Sequence, residues 1–182
     1  MITGLSVIAI EAGEDQRDRA IMREVAQSVE SALDRRGSVA GAYLRAGSAL
    51  FATNDDVSLP LFRRYASELG LDADLSGSEV IGWAEVVRLD QLEAFERAAS
   101  AERGAPFKVR REPGTEGEML APVTFLKPDT ERSRRIIGYD LYSAPACRAA
   151  MDEAALLIRP TATGKLVLAR DENRKTTGFL IF

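Results

Sequence analysis

Two residue types that carry much of enzyme catalysis are missing or nearly missing from this sequence. Histidine is absent, and Cys147 is the only cysteine. Ser-His-Asp catalysis, Cys-His catalysis and histidine-bound zinc are therefore excluded, and no intrachain disulfide can form. A metal site built from carboxylates alone, or an acid-base pair of Asp or Glu residues, remains possible. The adjacent acids Asp55/Asp56 and Asp152/Glu153 are weak candidates, because neighbouring residues on a helix do not face each other. We predict that the chain is not an enzyme and carries no cofactor or metal.

The composition is that of an ordinary globular domain. The 182 residues are 46% hydrophobic and 29% charged, so one domain or two small lobes can bury a core without disulfides or metals. The formal net charge is -4. Sustained nucleic-acid binding usually needs a basic face, so we predict no nucleic-acid partner.

The first residues admit two interpretations. Residues 2–10 are apolar but fall short of the roughly 18 consecutive apolar residues of a membrane span. They form either an ordinary buried segment or the trailing edge of a transmembrane helix. We therefore mark residues 1–13 as a candidate remnant of a membrane segment.

A long amphipathic helix is predicted from about Asp15 to Leu50. It acts either as a dimer stalk or packs on its own domain, and residues 14–70 are assigned to this helix and the next one. The next helix begins after Ser58, a good N-cap, and runs to about Gly70. The apolar residues of the first helix recur at three- and four-residue steps: Met22, Val25, Val29 and Leu33.

Strand patterns dominate the remaining chain. A buried strand is predicted at 80–87, and Asp90 with Glu93 resembles a capping box that opens a helix through about Glu102. A further helix begins at Pro145 and runs to about Ile158. This order predicts an α+β fold with an antiparallel sheet. The other predicted strands are 107–110, 119–126, 136–140, 161–169 and 178–182.

Several short motifs, in order, resemble the CHASE domain family. Ile81-Gly-Trp83 is similar to the family's tryptophan strand, and Ala121-Pro-Val123 followed by Gly138-Tyr-Asp-Leu141 is similar to its most characteristic pair of motifs. No one of them is specific, but their ordered agreement extends over residues 50–182. Leu92 departs from the arginine that the family often has there. Members also continue beyond the position of Phe182, so the resemblance implies that the domain's last strands follow the printed sequence.

The resemblance implies a sensor. It predicts a long stalk helix followed by a PAS-like antiparallel sheet lobe with flanking helices, the lobe covering residues 71–182. It implies a periplasmic domain of a membrane-anchored bacterial histidine kinase or cyclase, a homodimer through the stalk helix, and a small organic ligand in the membrane-distal lobe. In plant members the ligand is a cytokinin, which makes an adenine-type compound one candidate here.

The resemblance also suggests where the ligand binds. A PAS-like pocket is an apolar trough formed by one face of a sheet. Pro122, Thr124 and Leu126 alternate with Ala121, Val123 and Phe125 along one strand. Either set can face the trough, or simply the core, and the resemblance favours Val123 and Phe125.

Polar candidates accompany these apolar ones. Asp129 lies where cytokinin-binding members place the carboxylate that accepts hydrogen bonds from the ligand, although an aspartate after proline is often a turn former or N-cap. Thr163 matches the family's pocket threonine and Thr161 shares its face, but threonine is also a good strand former. Trp83 offers a flat wall for stacking or is a core residue. Arg174 lies at the pocket rim or in a solvated hairpin turn.

Overall fold

The computed structural model of the chain describes residues 3–54, 57–69, 80–168 and 176–182. The chain divides into two compact units, residues 1–42 and 43–182. The second unit contains helices and short antiparallel strands, so the predicted α+β class is confirmed, whereas the PAS-like assignment stays a prediction. Within the described residues, no helix combines the length and the apolar character that a membrane crossing requires.

Helix α1 (Thr3–Thr53) includes the predicted helix and extends it at both ends. In the first unit its described side chains from Arg19 to Arg35 are all exposed. The predicted apolar stripe is therefore uncovered, and Met22 is 72% exposed. The last turns of α1, from Tyr43, belong to the second unit.

Helix α2 (Leu59–Glu68) begins where the sequence predicts it. The Ser58 side chain accepts a hydrogen bond from the backbone N–H of Leu61, and Pro60 occupies the first turn, where its missing N–H costs nothing. Phe62 and Ala66 are buried on one face of this helix. The predicted N-cap is confirmed.

The strand predicted at 80–87 is divided in two, β1 (Ile81–Ala84) and β2 (Val87–Arg88). Helix α3 (Leu92–Arg103) follows a 3-10 turn, Leu89–Gln91. The predicted capping box is wrong: Gln91 occupies the N-cap position without a side-chain hydrogen bond, and Asp90 instead pairs with Arg88 at 3.1 Å.

The predicted strand at 119–126 is also divided, into β3 (Met119–Leu120) and β4 (Val123–Lys127). β1 pairs with β4 and β2 with β3, both antiparallel. Beyond these lie helix α4 (Glu131–Ile136), helix α5 (Pro145–Leu157), and the antiparallel hairpin of β5 (Leu166–Leu168) and β6 (Thr176–Gly178). The helix predicted from Pro145 is thus confirmed.

Two predicted strands are wrong in the described chain. Residues 107–110 and 136–140 are reduced to isolated bridges, Arg110 with Tyr139 and Pro122 with Asp140. The second segment is shortened at its start, because the helix that Thr130 caps runs to Ile136 and a turn follows at residues 137–138.

An irregularity in the β1–β4 ladder separates two hydrophobic clusters. Trp83 pairs with Phe125, but Ala84 pairs with Val123, so Thr124 is an extra residue on β4. Such a bulge reverses the sides to which the flanking side chains point. Phe125 consequently packs with α2, whereas Val123 packs in a second cluster with Leu141 and Cys147.

Candidate functional site

A small cavity lies next to Asp129, in the loop between β4 and α4. Its volume is about 10 Å³, room for about one water molecule. Polar and apolar groups contribute to it from α2, α3, β4 and α4. Its lining consists of Leu59, Arg63, Arg103, Leu126, Asp129, Ser133, Arg134 and Ile137.

Two arginines from different helices bind the Asp129 carboxylate. The Arg134 Nε donates to Oδ1 at 3.0 Å, and the Arg63 Nη2 donates to Oδ2 at 3.2 Å. The hydrogen bond from Arg134, with the charges of Arg134 and Arg63 behind it, lowers the pKa of Asp129 despite the opposing effect of burial. Asp129 is therefore a carboxylate with both oxygens engaged, so a ligand must compete with the arginines for it.

Arg103 and Ser133 complete the polar lining. The Arg103 Nη1 donates to the Thr124 carbonyl at 3.0 Å, and its guanidinium lies 6.0 Å from the centre of the Phe107 ring. Ser133 is buried and donates to the Pro128 carbonyl. The lining thus carries three guanidinium groups and one carboxylate, an excess of positive charge.

Sequence reasoning did not identify these arginines. Arg63 lies 66 positions before Asp129. Both Arg63 and Arg134 belong to arginine pairs, with Arg64 and Arg135, a pattern that usually marks a solvated helix face. No local signal in the sequence points from them to Asp129.

Thr163 and Thr161 do not line this cavity. Thr163 borders a separate open groove of about 500 Å³ beside the β5–β6 hairpin, which Lys165 and Phe179 also line. The Thr163 hydroxyl is occupied, since it donates to the Gly164 carbonyl at 2.8 Å and accepts from the Leu180 N–H at 3.0 Å. Thr161 donates its hydroxyl to the Arg159 carbonyl at 3.3 Å. The structure places Asp129 and Thr163 in different concavities.

Trp83 and Phe125 belong to an aromatic cluster that fills the space between β1, β4, α2 and the last turns of α1. The Trp83 ring stacks on Phe51, and the Phe125 ring lies 5.3 Å from Phe62 and 6.5 Å from Phe51. Among the described residues, none accepts a hydrogen bond from the buried Trp83 Nε1. One face of the tryptophan is covered by the protein's own side chain.

Asp140 and Gly138 have structural roles and do not line the cavity. The buried Asp140 carboxylate accepts hydrogen bonds from the N–H groups of Ala121 and Tyr142 and pairs with Arg111 at 3.2 Å. Gly138 has φ +81°, and a Cβ there would clash with the Lys108 carbonyl oxygen. Asp140 thus joins the loop before α5 to Ala121 and Arg111, and Gly138 allows that loop to approach the Lys108 carbonyl group.

The described residues contain no good candidate for a metal site, and their cysteine is a poor nucleophile. No cluster of three or more histidine, cysteine, aspartate or glutamate side chains suited to a metal ion occurs in residues 17–54, 57–69, 80–166 and 177–182. Cys147 is buried, and burial raises the pKa of its thiol, which makes it a poor nucleophile. Arg174, predicted at the pocket rim, lies outside the described residues.

The comparison with protein families identifies the class. The model of the CHASE domain matches residues 55–182. The chain therefore belongs to the CHASE domain family, whose members are extracytoplasmic sensor domains of membrane receptors and are not themselves catalytic. A comparison with curated proteins finds no matching sequence.

Proposed function

We propose that this chain is the periplasmic small-molecule sensor of a bacterial transmembrane receptor, a histidine kinase or a nucleotide cyclase. Membership of the CHASE family supports a sensing role. The ligand binds at Asp129, where the chain combines a carboxylate, a cavity and apolar walls. An adenine-type compound is the first candidate, because a carboxylate can orient a heterocycle rich in hydrogen-bond donors.

The single observation that carries this proposal is the aromatic contact between the sheet and α1. Strand β4 leads directly to the Asp129 loop and also carries Phe125, which packs with Phe51 of α1. A ligand that displaces the end of β4 therefore disturbs the packing around Phe51. A shift of α1 at this point passes to the stalk and from there to the membrane.

Such a signal requires two states. A ligand can bias the receptor only by the difference between its affinities for those states. Asp129 contacts Arg63 of α2 and Arg134 of α4, so breaking and remaking these two contacts provides a switch between arrangements of the helices.

The other candidate residues keep lesser roles in this proposal. Trp83 and Phe125 respond to the ligand through the aromatic cluster, and Val123 supports β4 from the other side. Thr163 offers a secondary site in the open groove, which Thr161 does not line.

Titration calorimetry of the 182-residue chain with adenine-type compounds and a small metabolite library tests the proposal. We expect one class of compound to bind, and Asp129→Ala to change its affinity by roughly tenfold or more, the value of a hydrogen bond to a charged group. Asp90→Ala is the matched control, since Asp90 is an exposed aspartate paired with a single arginine. An affinity untouched by Asp129→Ala contradicts the assignment of the site.

The exposed stripe of α1 favours a second function, a dimerisation module that binds no ligand. Val25, Val29 and Leu33 are each more than half exposed. A helix that presents such a stripe to water is stabilised by pairing with a second copy. The aromatic cluster, filled by the protein's own side chains, is consistent with a lobe that only folds.

Sedimentation equilibrium tests this second function. We expect the chain to form dimers, Val29→Asp to weaken them, and Gln27→Asp, which lies on the opposite face at 3.6 residues per turn, to leave them intact. Equal weakening by the two substitutions contradicts assembly through the stripe.

A further inference from the structure

The Asp129 carboxylate lies between two guanidinium groups that reach it from different elements. Arg63 extends from α2 and Arg134 from α4, and each donates to a different oxygen of the carboxylate. This arrangement reproduces how two arginines bind a carboxylate ligand, with the protein supplying the carboxylate itself.

The two arginines have donor capacity to spare. A guanidinium has five N–H donors, and in the described part of the chain each of these two arginines gives only one hydrogen bond, to Asp129. Together with Arg103, the lining carries three positive charges against one negative charge. The site therefore attracts a further anionic group more strongly than a cation.

Apolar side chains lie beside the charged groups. Leu59, Leu126 and Ile137 belong to the same lining. A ligand that matches both the arginines and the apolar side chains has a carboxylate on a small apolar body. Because the cavity holds only about one water, such a ligand fits only when Asp129 leaves its place between the arginines.

Asp129 is able to leave. Its side chain is 40% exposed, and those of Arg63 and Arg134 are 49% and 67% exposed. Ion pairs at such exposure contribute little to stability. A carboxylate ligand therefore has to replace only two weak ion pairs, those of Asp129 with Arg63 and Arg134.

We infer that Arg63 and Arg134 form a binding site for an organic carboxylate with a small apolar body, and that Asp129 occupies this site as an internal substitute until the ligand displaces it. This inference rests on the proposed function for the place where the ligand binds, and it goes further by naming the ligand's charged group. It also assigns Asp129 the opposite role, since the residue competes with the ligand and does not hold it.

The two roles of Asp129 predict opposite effects of Asp129→Asn. The substitution keeps the shape of the side chain and removes its charge. If Asp129 is an internal competitor, the variant binds a carboxylate more tightly, by roughly threefold to tenfold, because a charged rival is replaced by a neutral one. If Asp129 accepts hydrogen bonds from the ligand, the variant binds it more weakly.

The experiment is titration calorimetry of the full 182-residue chain with sodium benzoate, sodium acetate and adenine, in chloride buffer. Four variants are compared with the wild type: Asp129→Asn, Arg63→Gln, Arg134→Gln and Arg97→Gln. Arg97 is the matched control, an exposed helical arginine that pairs only with Glu93 among the described residues. Circular dichroism establishes that each variant is folded. If an arginine variant unfolds, Asp129→Asn alone decides whether the Asp129 charge opposes or supports ligand binding.

The inference expects benzoate to bind more tightly than acetate, Asp129→Asn to tighten benzoate binding, and Arg63→Gln and Arg134→Gln to weaken it by roughly tenfold. Arg97→Gln leaves it unchanged. Benzoate binding that Asp129→Asn weakens, or that both arginine variants leave intact, overturns the inference. Adenine binding that Asp129→Asn abolishes, without any benzoate binding, overturns the inference and upholds the proposed function. Absence of binding by all three compounds overturns the inference, whereas the wider metabolite library still decides the proposed function.

Discussion

The indole ring of Trp83 lies parallel to the phenyl ring of Phe51, with the ring centroids 3.5 Å apart and 5° between the planes. Trp83 belongs to β1 and Phe51 to the last turn of α1, so this stack joins the sheet to that helix. Trp83 is also the only tryptophan in the chain. Its fluorescence therefore reports directly on this contact.

Phe51→Ala is expected to destabilise the chain by about 3–4 kcal/mol, because it removes a large side chain from a packed aromatic cluster and leaves a cavity. Urea unfolding followed by Trp83 fluorescence measures this change. The native emission should also shift to longer wavelength as the indole ring gains access to water. Leu156→Ala is the control, since Leu156 is 81% exposed, and its effect should stay within about 0.5 kcal/mol. Equal unfolding free energies for the two variants would contradict the packing described.

Asp140→Ala is expected to be among the most damaging substitutions of a charged residue. Asp140 is fully buried and joins Arg111 to the N–H groups of Ala121 and Tyr142. Its removal leaves a partly buried guanidinium and two N–H groups without their acceptor, a loss of about 3–5 kcal/mol. Chemical denaturation checks the value, with Asp90→Ala, which breaks an exposed pair, expected to cost less than about 1 kcal/mol. A loss as small as that of the control would show that Asp140 does not hold the loop.

Two glycines with positive φ distinguish conformational strain from a steric clash. Gly104 has φ +64° with open space where a methyl group would lie, whereas a methyl group at Gly138 would clash with the Lys108 carbonyl oxygen. Gly104→Ala should therefore cost about 1 kcal/mol, the effect of the left-handed conformation alone. Gly138→Ala should cost clearly more, because the backbone must also move. Thermal unfolding of the two variants tests this order. The reverse order would contradict the close approach of Gly138 to the Lys108 carbonyl oxygen.

Glu96 makes stability depend on pH in the acidic range. Burial raises the pKa of Glu96, but hydrogen bonds from the Lys108 ammonium group and the Val109 N–H together lower it below its usual value. A carboxylate with a lowered pKa in the folded state stabilises the fold above its unfolded-state pKa, about 4.3. That contribution is lost as the pH falls through the lower, folded-state pKa.

The matched variant is Glu96→Gln. At pH 7 it should be less stable than the wild type by about 1–3 kcal/mol, the value of hydrogen bonds to a charged acceptor. The difference should shrink as urea unfolding is repeated from pH 5 towards pH 2. A difference that stays constant over this range would show that the Glu96 charge does not contribute.

The sequence by itself determined the features that depend on neighbours within a few residues. The Ser58 cap and the start of the helix at Pro145 follow from local hydrogen bonding and from the tolerance of proline in a helix's first turn. The ordered motifs of residues 50–182 likewise sufficed to identify the CHASE family.

Tertiary structure alone decided the features that depend on distant partners. The extra residue at Thr124 sends Val123 and Phe125 into different clusters, although strict alternation predicts one shared face. The engagement of Asp129 by Arg63 depends on bringing together residues 66 positions apart, for which a single sequence has no local signal. Local rules govern caps and turns because their hydrogen bonds close over three or four residues, whereas the side of a strand and the partner of a charge are set only when the chain folds back on itself.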